Sequence, residues 1–300
     1  MVLMSDWIVA EHARPRHGWD GRTARNGDYR MKAATGAKPP AGQPHLSPSV
    51  INVFAAYSRR YVRRSFHVFR ILESGLPPHD AARTLVIYLN HAAWWDPLLR
   101  LLLSREFVPG RMSFAPIDAA MIQRYRFFKH LGFFGVEKNT PRGAITFLRT
   151  AHAILASSGN ALWLTPQGRF MDVRERPLRL EDGLGALATW EPEAAFVPAA
   201  IEYAFWTEPR PEILVSFGEP IVPGYEPGRT AAEWTRTFTE ILETTQDELV
   251  ARSCRRKAAE WCTLNRGKSG VGGIYDAWRW LRPRMRGEKF EPEHQTEVAP

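Results

Sequence analysis

A histidine and an aspartate in the segment 90–96 are the residues of this chain best suited to chemistry. His91 and Asp96 lie five residues apart, directly after the apolar run Leu85–Leu89, which predicts a buried strand. A histidine can take a proton from a hydroxyl near neutral pH, and a nearby carboxylate can fix its tautomer and stabilise its charged form. The pair could therefore make an alcohol attack an acyl group. The spacing alone also fits a histidine with a purely structural role.

A second candidate group stands at the end of another apolar run, 161–165. Pro166 stops the strand ladder, and Gly168 permits a positive φ and a close approach of the backbone to a ligand. Arg169 can bind a phosphate or carboxylate through two parallel hydrogen bonds. Lys138, after the short predicted strand 135–137, is another possible anion ligand. Each feature alone also fits an ordinary turn at the end of a strand.

The elements that must position these residues alternate between strand and helix from residue 81 onward. This alternation predicts an α/β fold with a mixed, largely parallel sheet flanked by helices. The predicted strands are 85–89, 111–115, 135–137, 161–165, 196–203 and 213–217, and the predicted helices are 97–104, 119–130, 143–157, 183–189 and 231–257.

An amphipathic helix is predicted before this domain, over residues 48–74. Its apolar residues recur at helical spacing and alternate with arginines, a pattern typical of a helix lying at a membrane surface. Ser47 is a plausible N-cap, and Pro48 suits the first helical position. A helix that packs on the domain core would show a similar pattern.

Composition divides the chain into four parts. Residues 11–47 are rich in Gly, Pro, Arg and Lys and poor in aliphatic side chains, so they are predicted to remain disordered. The predicted parts are a disordered basic tail (1–47), an amphipathic interfacial helix (48–78), a catalytic domain (79–230) and a C-terminal helical region with a basic tail (231–300).

The net charge of +8, the pI near 9.7 and the eleven tryptophans favour an anionic membrane surface as a partner,. The charge-free stretches of 18 residues or more, 39–58 and 150–168, contain prolines, glycines and polar side chains, so the chain is expected to lie on a membrane and not to span it. Cys254 and Cys262 fall in one predicted helix about 12 Å apart, beyond disulfide reach, which indicates a reducing cytoplasm. The expected location is the cytoplasmic face of a membrane.

Two other partner classes are not expected. The basic charge and the Arg/Trp mixture near the termini are the only support for nucleic-acid binding, and they leave the motifs at the strand ends unexplained. The nine histidines show no metal-ligand spacing with cysteine or with one another, so no metal is predicted.

Taken in order, these segments resemble the PlsC-like glycerolipid acyltransferase family over roughly residues 80 to 225. The family's first signature, NHxxxxD, is matched by Asn90, His91 and Asp96. Its second signature, a glycine, a hydrophobic strand and an arginine, is similar to 135–138, where Lys138 replaces the arginine.

The third signature is matched only in part, whereas the fourth is matched in full. The third is usually Phe-Pro-Glu-Gly-Thr-Arg, and the segment 165–169 is similar, with Gln167 in place of the glutamate and one residue missing before Arg169. The fourth, a Val/Ile-Pro strand, is matched by Val197 and Pro198. Gln167 keeps a donor and an acceptor but no charge, and lysine offers a point charge where arginine offers a fork.

The resemblance implies direct transfer of an acyl group from acyl-CoA or acyl-carrier protein to a hydroxyl. It implies that His91 acts as general base, that Asp96 orients the imidazole, and that neither a covalent intermediate nor a bound cofactor is needed. It also implies substrate-binding residues: Asn90, Lys138, Pro166, Gln167, Gly168, Arg169, Val197 and Pro198.

The acceptor is left open by the altered third signature. A lysophosphatidic acid or another lysophospholipid is the expected acceptor. A glycolipid, a carotenoid sugar or an amino-lipid hydroxyl is an alternative, as are hydrolysis at the same site and a non-catalytic membrane-surface protein on the same fold.

Overall fold

The computed structural model of the protein describes residues 42–75 and 83–267. Residues 1–41 of the predicted basic tail lie outside this part. The short segment 76–82 and the predicted basic tail from residue 268 onward also lie outside it.

The described residues form helices and strands in alternation. The helices are α1 (Pro48–Ser65), α2 (Asp96–Phe107), α3 (Ala119–Arg124), α4 (Pro141–Leu155), α5 (Gly183–Trp190) and α6 (Ala231–Arg255). The strands are β1 (Val68–Leu72), β2 (Leu85–Leu89), β3 (Met112–Asp118), β4 (Phe133–Val136), β5 (Asn160–Leu164), β6 (Ala195–Ala204), β7 (Glu212–Phe217) and β8 (Trp261–Arg266).

All eight of these strands join one mixed sheet in the order β4-β3-β5-β2-β6-β7-β1-β8. The five strands from β4 to β6 run parallel. The remaining three are added through antiparallel pairs of β7 with β6 and of β8 with β1, while β1 and β7 are parallel. The predicted α/β class with a mixed, largely parallel sheet is therefore confirmed.

Helices cover both faces of the sheet, which explains the unbroken apolar runs of its central strands. Alternate residues of β2 face opposite sides. Leu85, Ile87 and Leu89 pack with α1 and α2, while Val86 and Tyr88 pack with α4, α5 and α6.

Local signals fix where the covering helices begin. Pro141 stands at the first position of α4, and the Thr140 side chain accepts a hydrogen bond from the Gly143 backbone at 3.0 Å. Thr230 and Glu233 form a reciprocal capping box at the start of α6,.

The predicted helix over 48–74 is wrong beyond Ser65. Residues Val68–Leu72 form β1, a buried strand paired with both β7 and β8. Phe66, Phe69 and Leu72 keep helical spacing, but the run is also apolar enough for a strand that is covered on both faces. Pairing with two neighbouring strands satisfies the backbone hydrogen bonds of β1 inside the sheet. This stabilisation outweighs the local preference for a helix.

The predicted C-terminal helical region also contains a strand that the sequence analysis did not predict. The chain forms β8 after α6, so Cys254 lies exposed in a helix while Cys262 is buried in a strand. The long helix itself ends at Arg255, close to the predicted residue 257. Within the described part of the chain, no helix is long and apolar enough to cross a membrane. Over the same residues, no group of three or more His, Cys, Asp or Glu side chains could hold a metal ion.

Candidate active site

The candidate residues meet at the carboxyl edge of the parallel strands, the usual position of ligand sites in open α/β sheets. His91 and Asp96 follow β2, Lys138 follows β4, and the segment 165–170 follows β5. Because β5 and β2 are neighbours in the sheet, the loops that leave them lie side by side.

His91 and Asp96 form a hydrogen-bonded pair. The imidazole Nδ1 lies 2.7 Å from Asp96 Oδ2. The histidine side chain is 19% exposed and the aspartate side chain only 2%. The acid is therefore dry, while the imidazole still reaches solvent or a substrate.

Asp96 has three hydrogen-bond partners. Its Oδ2 accepts from the Ala93 backbone N–H at 3.1 Å as well as from His91, and its Oδ1 accepts from the Tyr203 hydroxyl at 2.6 Å. Such a set of donors suits an ionised carboxylate and offsets its burial. An ionised Asp96 requires the proton of a neutral His91 to sit on Nδ1, which leaves the lone pair on Nε2. That Nε2 has no hydrogen-bond partner within residues 42–75 and 83–267.

Asn90 fastens the loop instead of offering its amide to a substrate. Its Nδ2 donates to the Ile201 carbonyl at 2.9 Å and its Oδ1 accepts from the Ile201 N–H at 2.8 Å. The side chain is buried and extends the β2–β6 pairing, which ends at Leu89 and Ala199. The expectation that Asn90 binds substrate is therefore corrected, because both ends of its amide are already used.

The turn after β5 holds the backbone of His91 on both sides. The Gln167 side-chain oxygen accepts from the His91 N–H at 2.6 Å, and the Met171 N–H donates to the His91 carbonyl at 2.9 Å. Pro166 and Gln167 are buried. Gln167 thus binds the backbone of His91 through its side-chain oxygen.

Gly168 has the left-handed backbone that the sequence predicted, with φ of +67°. A Cβ at this position would also lie 3.2 Å from Glu181 Oε1. Glycine therefore satisfies two constraints at once, and the turn it permits carries Gln167 and Arg169.

The second and third motifs are brought together by one hydrogen bond. Lys138 Nζ donates to the Gly168 carbonyl at 2.8 Å. The Arg169 side chain is 68% exposed and lies 3.6 Å from Glu175 Oε1. Phe170, also exposed, lies with its ring centroid 4.3 Å from that of His91. Lys138 and Arg169 therefore lie at the turn after β5, and Phe170 packs against the imidazole.

Val197 and Pro198 do not line the site. Both are buried in the middle of β6, in register with Ile87 and Tyr88, and a Cβ on Gly218 would lie 2.8 Å from Pro198 Cγ. The residue of β6 that reaches the site is Tyr203, which the sequence analysis missed. Only the end of the strand extends past β2 to the level of Asp96.

In fold, the chain is similar to the 1-acyl-sn-glycerophosphate (LPA) acyltransferase PlsC from Thermotoga maritima, at 15% sequence identity and a TM-score of 0.43. The likeness covers 70% of this chain and 80% of that protein. No family model matches the sequence, and no curated protein matches it. Because the sequence identity and the TM-score are low, the chemistry of this chain has to be inferred from the geometry of the site.

Proposed function

We propose that the protein is an O-acyltransferase that moves a fatty acyl group from a thioester to a lipid hydroxyl. The donor in this proposal is acyl-CoA or acyl-carrier protein, and the acceptor is a lysophospholipid of the lysophosphatidic acid type. The observation that carries the proposal is a histidine with its Nδ1 on a buried carboxylate and its Nε2 free, beside a turn that carries Arg169 and accepts a hydrogen bond from Lys138.

The proposed reaction needs one base and no covalent enzyme intermediate. His91 Nε2 takes the proton of the acceptor hydroxyl as its oxygen attacks the thioester carbonyl carbon, and Asp96 stabilises the imidazolium that forms. The tetrahedral intermediate then expels the thiolate, which receives the proton from His91. Acyl ester and free thiol are the products, and the base returns to its starting state.

Lys138 and Arg169 support a phosphate-bearing acceptor. Both stand at the Gly168 turn, whose neighbour Gln167 binds the backbone of His91. A phosphate near this turn would meet one point charge and one planar guanidinium. The hydroxyl of the same acceptor could then reach the imidazole.

We further propose that helix α1 rests on an anionic bilayer at the cytoplasmic face. Val50, Val53 and Tyr57 are exposed on one stripe of the helix, and Arg60 and Arg64 continue that stripe toward its C-terminus. An apolar half followed by a cationic half suits the boundary between acyl chains and anionic headgroups.

An aromatic path supports entry of the acyl chain from this surface. Tyr57 stacks on Tyr61 with centroids 5.8 Å apart, and Tyr61 lies 5.0 Å from Trp95. Trp95 precedes Asp96 in the chain. A lipid held at α1 would therefore lie next to the loop that bears the catalytic pair.

The test of the activity is a panel of acceptors with labelled acyl-CoA and labelled acyl-carrier protein. We expect the labelled acyl group in an ester of lysophosphatidic acid or another lysophospholipid, formed in step with free thiol. Thiol release without an acceptor, with free fatty acid as the product, would instead indicate hydrolysis. Labelling of a glycolipid or sugar hydroxyl alone would keep the reaction and replace the acceptor.

The membrane proposal predicts a loss of vesicle binding in Val53→Glu. Val53 is 74% exposed, so the charge should leave folding unchanged. Burial of a valine side chain is worth about 1.5 kcal/mol or more, which corresponds to at least about a tenfold weaker partition. Co-sedimentation with vesicles of phosphatidylglycerol and phosphatidylcholine measures it.

Ile145→Glu is the matched control, because Ile145 is a half-exposed aliphatic residue on α4. That helix covers the opposite face of the sheet from α1. Equal losses in both variants, or none in either, would contradict docking through α1.

A further inference from the structure

Tyr203 makes a contact with the acid that ordinary packing would not require. Its hydroxyl donates to Asp96 Oδ1 at 2.6 Å, while the other oxygen of the same carboxylate faces His91. The two residues are separated by 107 positions in the chain. The tyrosine and the histidine therefore occupy opposite oxygens of one carboxylate.

The phenol is held in its donating form. Burial, followed by the negative charge of Asp96, raises the pKa of Tyr203 well above its ordinary value,. A phenol in this state keeps its proton near neutral pH. The hydroxyl is therefore available as the donor to Asp96,.

The ring of Tyr203 is fixed by its neighbours. It lies 5.8 Å from the ring of Phe66, which makes an edge contact with Trp95 at 4.8 Å. The preceding residue, Glu202, belongs to the opposite face of the sheet, where burial raises the pKa of its carboxyl and Ser253 hydrogen-bonds to it. Alternation along β6 thus directs only Tyr203 toward the acid.

We propose that Tyr203 is a positioning residue that sets the orientation of Asp96 and, through it, of the His91 imidazole. The inference rests on the proposed acyl transfer. With Oδ1 held by the phenol and Oδ2 by the Ala93 N–H, the plane of the carboxylate has one orientation, and Nδ1 of His91 follows it. The free Nε2 is thereby aimed at the acceptor hydroxyl.

The test is Tyr203→Phe, which keeps the ring and removes the donor. A misplaced base costs catalysis and not binding, so kcat should fall by roughly 10- to 100-fold, while KM for the acceptor stays within about twofold. Incorporation of 3-fluorotyrosine at position 203 restores a hydroxyl and should restore turnover. It also keeps the test valid if the phenylalanine variant folds poorly.

Tyr88→Phe is the matched control. Tyr88 is a buried tyrosine on the adjacent strand β2, and its hydroxyl has no hydrogen-bond partner among the described residues. It faces the other side of the sheet, toward Phe238. Loss of this hydroxyl should leave kcat and KM unchanged.

A double-mutant cycle separates positioning from general loosening of the fold. In the His91→Ala background, Tyr203→Phe should cause no further loss of the residual turnover, because the group it orients is gone. Equal losses in both backgrounds would assign Tyr203 a merely structural role and overturn the inference. Wild-type turnover in Tyr203→Phe, with His91→Ala impaired, would overturn it too. Absence of acyl transfer by the wild type would overturn the proposed function first, and the inference with it.

Discussion

Replacement of His91 by alanine should lower kcat for acyl transfer by roughly 10²- to 10⁴-fold, the usual contribution of a positioned general base. KM for the acceptor should change little, because the groups proposed to hold its phosphate are Lys138 and Arg169. The backbone contacts of residue 91 with Gln167 and Met171 remain available in the variant. We therefore expect a folded, substrate-binding and slow enzyme.

The chain offers a matched control for this variant in His152. Its Nδ1 lies 2.5 Å from Glu191 Oε1, so it too is a histidine paired with a carboxylate. It lies on α4 and its side chain is largely exposed. His152→Ala should retain wild-type kcat.

The measurement is steady-state transfer of a labelled acyl group, with circular dichroism to verify folding. Turnover of His91→Ala within about twofold of the wild type would exclude this imidazole as the base, since even the low end of base catalysis is about 100-fold. An equal loss in His152→Ala would indicate a general effect of removing a paired histidine.

The sequence was sufficient to predict the positions of the candidate residues that follow a strand directly. His91 and Asp96 are close in the chain, so the short loop between β2 and the start of α2 brings them together at 2.7 Å. Gly168 was predicted from the backbone conformation it alone adopts easily, and φ of +67° bears this out.

Contacts that depend on the register between strands could not be predicted from the sequence. Tyr203 reaches Asp96 because β6 continues past the end of β2. For the same reason, the Asn90 side chain hydrogen-bonds to the backbone of Ile201. The distance that β6 extends past β2 is set by its pairing with β7, and no local sequence pattern encodes this pairing,. Val197 and Pro198 were placed in the site by resemblance, and the register buries them instead.

The strand β1 was missed for an energetic reason that Arg70 makes clear. In the predicted helix, Arg70 belonged to the charged face. In the sheet it is buried, with Nε 2.6 Å from Glu212 Oε2, at 5% and 0% side-chain exposure. The arginine charge can be buried only because Glu212, 142 positions away in the chain, pairs with it in the core,.

This buried pair gives the second large prediction. Arg70→Met should lower the free energy of unfolding by about 3–5 kcal/mol, because it leaves the Glu212 carboxylate in the core without its cation. The cation also lies 5.0 Å from the ring centroid of Trp206, and that contact is lost as well. Urea unfolding followed by tryptophan fluorescence measures the change.

The cause of the loss can be isolated by removing both charges. In Arg70→Met combined with Glu212→Leu no carboxylate is stranded, and apolar replacements of similar size for a buried pair are often neutral or stabilising. The double variant should therefore recover most of the stability lost by Arg70→Met. Arg174→Met is the surface control, because its partner Asp172 stays in solvent, and its unfolding midpoint should stay at the wild-type value. A double variant as unstable as Arg70→Met would mean that packing of the arginine stem, and not the stranded charge, holds β1 in the sheet.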